Sequence, residues 1–357
     1  MWKNDLTKLL NINYPIIQAP MAGGVTSSEL VAAVSNAGGL GMIGAGYMGP
    51  DQIQTQIKQI RQLTEKPFGI NLFVPSEYTA DPLKLQTAKV SLQPIKAELL
   101  VEEEPVLPTF EQDLETFHQQ LEIIINEKVK ICSFTFGLPS HEIVVKLKQN
   151  SIIVIGTATT VQEAMLIEGA GMDAVVVQGS EAGGHRGTFH GEDTKSLIGL
   201  MSLIPQAADC IRIPVIAAGG IMEGRGVMAA KCLGALGVQM GTAFLVCEES
   251  GAPRVHKEAI INATEEQTVL TKSFSGKMAR GVNNCFIESM KNFEEVLPDY
   301  PLQNELTKTI RKASAAEGNI DYMSLWSGQS PKLAKTLTVQ SLMTRIVNEA
   351  EKLRSNF

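Results

Sequence analysis

Eight short apolar runs, rich in β-branched residues, recur through the first two thirds of the chain and narrow what it can fold into. They are Pro15 to Pro20, Leu40 to Gly46, Phe68 to Phe73, Val129 to Phe136, Ser151 to Thr159, Ala174 to Gly179, Pro214 to Gly220 and Gly237 to Leu245. Near-continuous apolarity of this kind belongs to strands covered on both faces. Between most of them lie segments with apolar residues at helical spacing. These are Ser27 to Ala37, Gln52 to Leu63, Glu111 to Glu127, Ser140 to Lys148, Val161 to Ala170, Leu197 to Ala207 and Gly224 to Leu233. Strands alternating with helices predict an α/β fold, a parallel (β/α)8 barrel over residues 1–247, with a doubly wound open sheet as the alternative.

Two segments break the rhythm. Pro75 to Thr109 carries several prolines and the run Glu102-Glu103-Glu104, and reads as an insertion after strand three, a lid or a surface loop. Residues 248–328 lack a strand rhythm and read as a smaller, mainly helical lobe at the barrel mouth. Residues 329–357 read as a return to the barrel, with a final helix from about Lys332 to Leu353.

Bulk properties remove several functions. A net charge of −7 argues against a general nucleic-acid binder, whose footprint is basic. No run approaches the ~18 apolar residues of a membrane helix. The start MWKNDLTKLL lacks the apolar core and cleavage site of a signal peptide. Cys132, Cys210, Cys232, Cys247 and Cys285 form no CxxC pair, which points away from a structural metal site and toward reduced, buried thiols. The chain reads as cytoplasmic.

In a parallel barrel, chemistry gathers at the carboxyl ends of the strands. Small and polar residues collect there: MAGGVT after strand one, Asn71 in strand three, Thr157 in strand five, QGSEAGGHRG after strand six, AAGGI after strand seven and QMGTAF after strand eight. Gly219-Gly220 and Gly241-Thr242 offer backbone N–H groups that phosphate oxygens could approach closely; either alone could be an ordinary tight turn, but the pair after strands seven and eight favours a phosphate site. Gly39 to Gly44 fits G-x-G-x-x-G, but it overlaps a strand instead of opening a helix, so the dinucleotide reading fails.

His185, in the glycine-rich loop after strand six, is the candidate general acid/base, because its ordinary pKa lies near neutrality. His190 shares the loop, further from the strand. His118, His141 and His256 fall in helix-like segments and read as exposed. Arg186 either holds an anion or braces the loop, and Glu181 could brace it too. Tyr322 and Trp326 either cap an apolar site or pack the lobe.

The motifs QAPMAGGVTSSELVAAVSNAGGLGMIGAG, GINLFVP, TFGLP, VVVQGSEAGGHRG, PVIAAGGIMEGRGVMAAKCLGALGVQMGTAFL, SGKMARG and WSGQS occur in this order. Together they resemble the nitronate monooxygenase family, formerly called 2-nitropropane dioxygenases, from about Tyr14 to Ser330. The resemblance implies an FMN-containing TIM barrel with an added lobe. It implies FMN contacts at Ala19, Met21, Ala22, Asn71, Gln178 and Gly183, and an FMN phosphate on Gly219, Gly220, Gln239, Met240, Gly241 and Thr242. Gln329 would approach from the lobe, and His185 falls where the family has its active-site histidine. The implied reaction is oxidation of an alkyl nitronate, such as propionate 3-nitronate, by O2 to a carbonyl compound plus nitrite or nitrate, with detoxification as a role.

Neighbouring families on the same scaffold give the alternatives. Flavin-type enoyl-acyl-carrier-protein reductases and quinone reductases, which use NAD(P)H, share the EAGGHxG loop and the AAGGI turn. A non-catalytic FMN-binding barrel is the reading from another class.

Overall fold

The protein is described here by a computed structural model covering residues 2–356. Its strands, in chain order, are β1 (Ile16–Gln18), β2 (Gly41–Gly44), β3 (Phe68–Phe73), β4 (Ile131–Thr135), β5 (Ile153–Ala158), β6 (Ala174–Gln178), β7 (Gly184–His185), β8 (Val215–Ala218), β9 (Gly237–Met240), β10 (Thr268–Thr271) and β11 (Ala279–Val282). Eight of these lie parallel in the order β1-β9-β8-β6-β5-β4-β3-β2. Leu40 closes the ring: it accepts from the Gln18 N–H at 2.9 Å and donates to Ile16 O at 3.0 Å. The result is a nearly closed (β/α)8 barrel, as the alternation predicts.

Although the strands are apolar throughout, their two faces differ. Ile16, Ile43, Ile70, Val154, Val175 and Val238 pack outward against the helices. Ile17, Met42, Ile131, Ile155, Val176 and Ile216 fill the barrel interior. Each such buried aliphatic side chain contributes about 1.5–3 kcal/mol of transfer free energy. Side chains alternate with a period of two, so the inward series continues to Asn71, Ser133, Thr135, Thr157, Gln178 and Gln239 at the carboxyl rim. The interior is thus apolar at its base and polar at its mouth.

The helices follow the sequence expectation closely, as at Ser28–Asn36, Pro50–Leu63, Phe110–Asn126 and Val161–Gly169. The helix expected at Leu197 to Ala207 runs instead over Leu200–Cys210, and the final helix over Val339–Ser355. That last helix packs on the helices Gly224–Cys232 and Ser28–Asn36. Glu349 accepts from the Gly224 N–H at 2.9 Å, satisfying a free donor at the start of that helix.

The insertion departs from its reading as a loop. It holds a 17-residue helix, Pro82–Glu98, opened by Asp81, whose carboxylate accepts from the Leu83 N–H at 2.8 Å. Ala88, Leu92 and Ile95 are buried against Phe274, Phe286, Leu306 and Ile310. Segments distant in sequence therefore share one apolar cluster beside the barrel mouth. The stretch read as lacking strands contains β10 and β11, which pair antiparallel with each other, and β11 pairs antiparallel with β7 to complete a three-stranded sheet. The thiol expectation also needs correcting: Cys132 and Cys247 are buried, but Cys210, Cys232 and Cys285 are exposed.

Among the described residues, no helix is long and apolar enough to cross a membrane. The glycines of the G-x-G-x-x-G run serve packing. A Cβ on Gly41 would lie 2.1 Å from Val31 O, and one on Gly44 would lie 2.6 Å from the Met21 backbone.

Candidate active site

The loop after β6 is held from within. Gln178 reaches forward from the strand end: its Nε2 donates to His185 O at 3.0 Å, and its Oε1 accepts from the Gly187 N–H at 2.8 Å. Arg186 is fully buried and donates to Gly179 O at 2.5 Å, Gln178 O at 2.9 Å and Ser196 O at 2.8 Å. It braces the loop, and its side chain does not reach out to hold an anion. Glu181 accepts from the Leu200 N–H at 2.9 Å, a second brace. With these ties made, β7 pairs with β11, opposing His185 to Ala279.

His185 lies among aromatic rings. Ring centroids stand 5.9 Å away for Phe136, 6.2 Å for Tyr300 and 5.3 Å for Trp326. Burial, aided by the Lys277 and Arg311 cations, pushes its pKa down to about 3, so the imidazole is neutral at physiological pH. Its Nε2 is 2.8 Å from Ser275 Oγ. Ser275 Oγ also donates to Lys277 O at 3.0 Å, which commits the one hydroxyl proton. Nε2 is then the ring's donor, and Nδ1 keeps the lone pair. A cavity of about 490 Å³ opens beside this cluster, lined by Phe73, Phe136, Lys277, Tyr300 and residues of the insertion.

A second group of residues lies at the ends of β1, β8 and β9. The Ala19 N–H donates to Met240 O at 2.8 Å. The position a Cβ would take on Gly241 is 3.7 Å from Ala19 Cβ and 4.0 Å from Met21 Sδ. Gly219 and Gly220 have φ of 138° and 62°, which side-chain-bearing residues rarely adopt. Among the described residues, the backbone N–H groups of Gly219, Gly220, Gly241 and Thr242 have no acceptor. Free amides at adjacent strand ends could hold an anion.

The segment Trp326 to Ser330 joins the two groups. The Gly328 N–H donates to Thr242 Oγ1 at 3.0 Å, and the Gln329 N–H donates to Glu181 O at 3.0 Å. A Cβ on Gly183 would come within 2.5 Å of Gly328 N. Asn71 completes the mouth, donating to Ser133 Oγ at 2.9 Å and Thr135 Oγ1 at 3.0 Å.

Of the sequence candidates, Ala22 lies by Gly44 at the edge of the mouth, and Gln329 is exposed. His190 is exposed, its backbone held by Glu163 at 2.8 Å. His118 and His141 are exposed, as expected. His256 is not: it is buried, 3.2 Å from Trp326 O, and burial lowers its pKa to about 4. Trp326 stands against His185, whereas Tyr322 bonds Glu98 at 2.7 Å in the lobe. The sequence reading gave no role to Ser133, Thr135, Ser275, Lys277 or Tyr300. The first two were legible from strand alternation, and Ser275 and Lys277 from the SGKMARG motif; Tyr300 had no local signal.

Comparisons with known proteins agree with this geometry. The nitronate monooxygenase family model matches residues 3–349. A probable nitronate monooxygenase of Staphylococcus aureus (strain Newman) is 51% identical over 355 residues, spanning 99% of each chain. The solved structure of a nitroalkane oxidase from Streptomyces ansochromogenes superposes with a TM-score of 0.91 at 37% identity, covering 98% of this chain and 99% of that one. FabK from Thermotoga maritima superposes with a TM-score of 0.78 at 32% identity, with both chains covered completely. A barrel with a neutral histidine at its mouth, matched over its length by these relatives, is an oxidoreductase, and the chain belongs to the nitronate monooxygenase family.

Proposed function

We propose that the protein is an FMN-dependent nitronate monooxygenase that converts alkyl nitronates and O2 to carbonyl compounds plus nitrite or nitrate. The observation that carries this reading is the neutral His185 at the barrel mouth, beside a cavity of substrate size and joined through the Trp326 to Ser330 segment to an amide cradle. Four N–H groups without acceptors, two of them on glycines at positive φ, suit the phosphate of FMN. When bound there, the flavin supplies the electron-accepting chemistry.

The chain's own residues supply binding, orientation and proton handling. Asn71 and Gln178 line the inward rim, the latter already fixed at both ends of its amide. The rings of Phe136, Tyr300 and Trp326 keep water from the imidazole. A nitronate enters as an anion and needs no base. A neutral nitroalkane must first lose its α-proton: the Cα–H bond breaks, the electron pair stays on the substrate as nitronate, and the proton goes to Nδ1 of His185. Ser275 holds the opposite nitrogen, which orients the ring for that transfer.

Oxygen uptake by the purified yellow protein, with ethyl nitronate and with nitroethane, tests the reading. Turnover of ethyl nitronate is expected without NADH. His185→Asn should depress nitroethane turnover much more than ethyl nitronate turnover; equal losses refute the base role. Fast bleaching of the flavin by NADH with negligible nitronate turnover would instead make the protein a nicotinamide-dependent reductase on this scaffold.

A further inference from the structure

Lys277 lies in the wall of the cavity that opens beside His185. Its Nζ stands 5.0 Å from the centroid of Phe136, the ring that His185 meets edge-on from another side at 5.9 Å. Its one hydrogen-bond acceptor among the described residues is Thr188 O, at 2.9 Å. An ammonium carries three donor hydrogens, so two are left over.

Among the described residues, no carboxylate lies within ion-pair distance of the ammonium. The two acids that act on Lys277 electrostatically are Asp193 and Glu163. Asp193 faces Lys272 at 3.9 Å. Glu163 is saturated: it accepts from the N–H and Oγ1 of Thr159, both at 2.6 Å, and from the N–H groups of Phe189 at 2.6 Å and His190 at 2.8 Å. Burial also depresses the pKa of the lysine, the cost of keeping a cation largely out of water. A charge held there without a pair is at its most favourable when an anion arrives in the cavity.

We propose that Lys277 is the anion anchor of the substrate cavity, binding the paired oxygens of a small organic anion and so setting a preference for the nitronate over the neutral nitroalkane. The assignment rests on the proposed function for the identity of the substrate, but the anion class follows from the two spare donors of the Lys277 ammonium in a wall that also carries acids such as Asp193 and Asp299. It divides the labour in the site. The fixed positive charge comes from Lys277, while His185 stays neutral and contributes no charge of its own. A short carboxylate such as propionate presents the same two-oxygen head and cannot be oxidised in this way, so it serves as a probe.

The experiment uses flavin-loaded wild type, Lys277→Met and Lys277→Arg. Propionate binding is measured by calorimetry, and KM by oxygen uptake with ethyl nitronate and with nitroethane. Loss of a charge-assisted bond should raise the propionate Kd and the ethyl nitronate KM by roughly 10- to 100-fold in Lys277→Met. The nitroethane KM should rise far less, and Lys277→Arg should recover most of the propionate affinity.

Unaltered propionate affinity in Lys277→Met, equal KM increases for both substrates, or no propionate binding to wild type would each overturn the assignment. Loss of flavin from Lys277→Met would also overturn it, because the lysine would then serve the cofactor. If wild type binds propionate through Lys277 yet turns over no nitronate, the anion site stands and the proposed function falls.

Discussion

Replacing Gly183 with alanine tests whether the loop after β6 and the Trp326 to Ser330 segment must be in backbone contact. The φ of Gly183 lies outside the left-handed region, so alanine brings no conformational penalty there. Its difficulty is room. The new Cβ would lie 2.5 Å from both Gly328 N and Ser327 C, and these are backbone atoms that no rotamer change can remove. An ordinary contact begins at 3.4 Å, so the segment must retreat by about 0.9 Å. A shift of that size could stretch the 3.0 Å Gly328 to Thr242 hydrogen bond by up to about 0.9 Å, enough to break it.

The cost combines about 1–3 kcal/mol for overpacking with about 1 kcal/mol for the lost bond. For 357 residues the unfolding entropy is about 0.75 kcal/mol per kelvin, so a loss of about 2–4 kcal/mol lowers Tm by about 3–5 °C. Thermal unfolding of the flavin-loaded protein, with flavin content read from its absorbance, is the assay. Gly169→Ala, which meets nothing within 4 Å, is the control and should stay within about 1 °C of wild type. A Gly183→Ala protein with unchanged Tm and full flavin would refute the reasoning.

Three further outcomes are expected. Gly220→Asp places a β-carbon and a negative charge at a φ of 62° inside the amide cradle, so the purified protein should lose most of its flavin; full occupancy would remove the cradle from the site. Arg186→Met removes a buried donor shared by three carbonyls, of which Gly179 O and Ser196 O keep a backbone N–H partner, and should cost about 1–3 kcal/mol in urea unfolding, whereas an unchanged midpoint would mean the guanidinium is no brace. His256 has a folded pKa of about 4 against about 6.5 unfolded, so below pH 6.5 the unfolded chain takes up a proton that the folded one refuses. Stability should therefore fall as the pH drops from 6.5 toward 4, by about 3 kcal/mol for this group, and His256→Gln should flatten part of that slope; identical pH profiles would contradict the assignment.

Much of the site could be read along the chain because it is built from strand ends. Asn71, Gln178 and Gln239 are inward residues one step beyond the apolar interior, and Gly219-Gly220 and Gly241-Thr242 follow their strands directly. Period-two alternation and a glycine pair are local signals, and locality is what a sequence reading resolves. The helix Pro82–Glu98 escaped that reading because it forms no barrel repeat and its prolines and acidic flank look like loop; its buried face is defined only by Phe274, Phe286 and Leu306 far along the chain. His256 escaped it for a similar reason, since the partner of its buried ring is the carbonyl of Trp326, seventy positions away.

The sequence by itself narrowed the fold to a parallel barrel or an open sheet, and marked the rim where chemistry gathers and the candidate histidine, because alternating apolar strands and helices admit few packings. Closure of the ring was decided by the strand pairing. Only the tertiary structure decided what the ambiguous side chains do. Arg186 became a brace because three carbonyls converge on its buried guanidinium. His185 became neutral because Phe136, Tyr300 and Trp326, drawn from separate segments, desolvate one ring. Charge state and hydrogen-bond partner depend on what surrounds a group in space, and for these residues the surroundings come from distant parts of the chain.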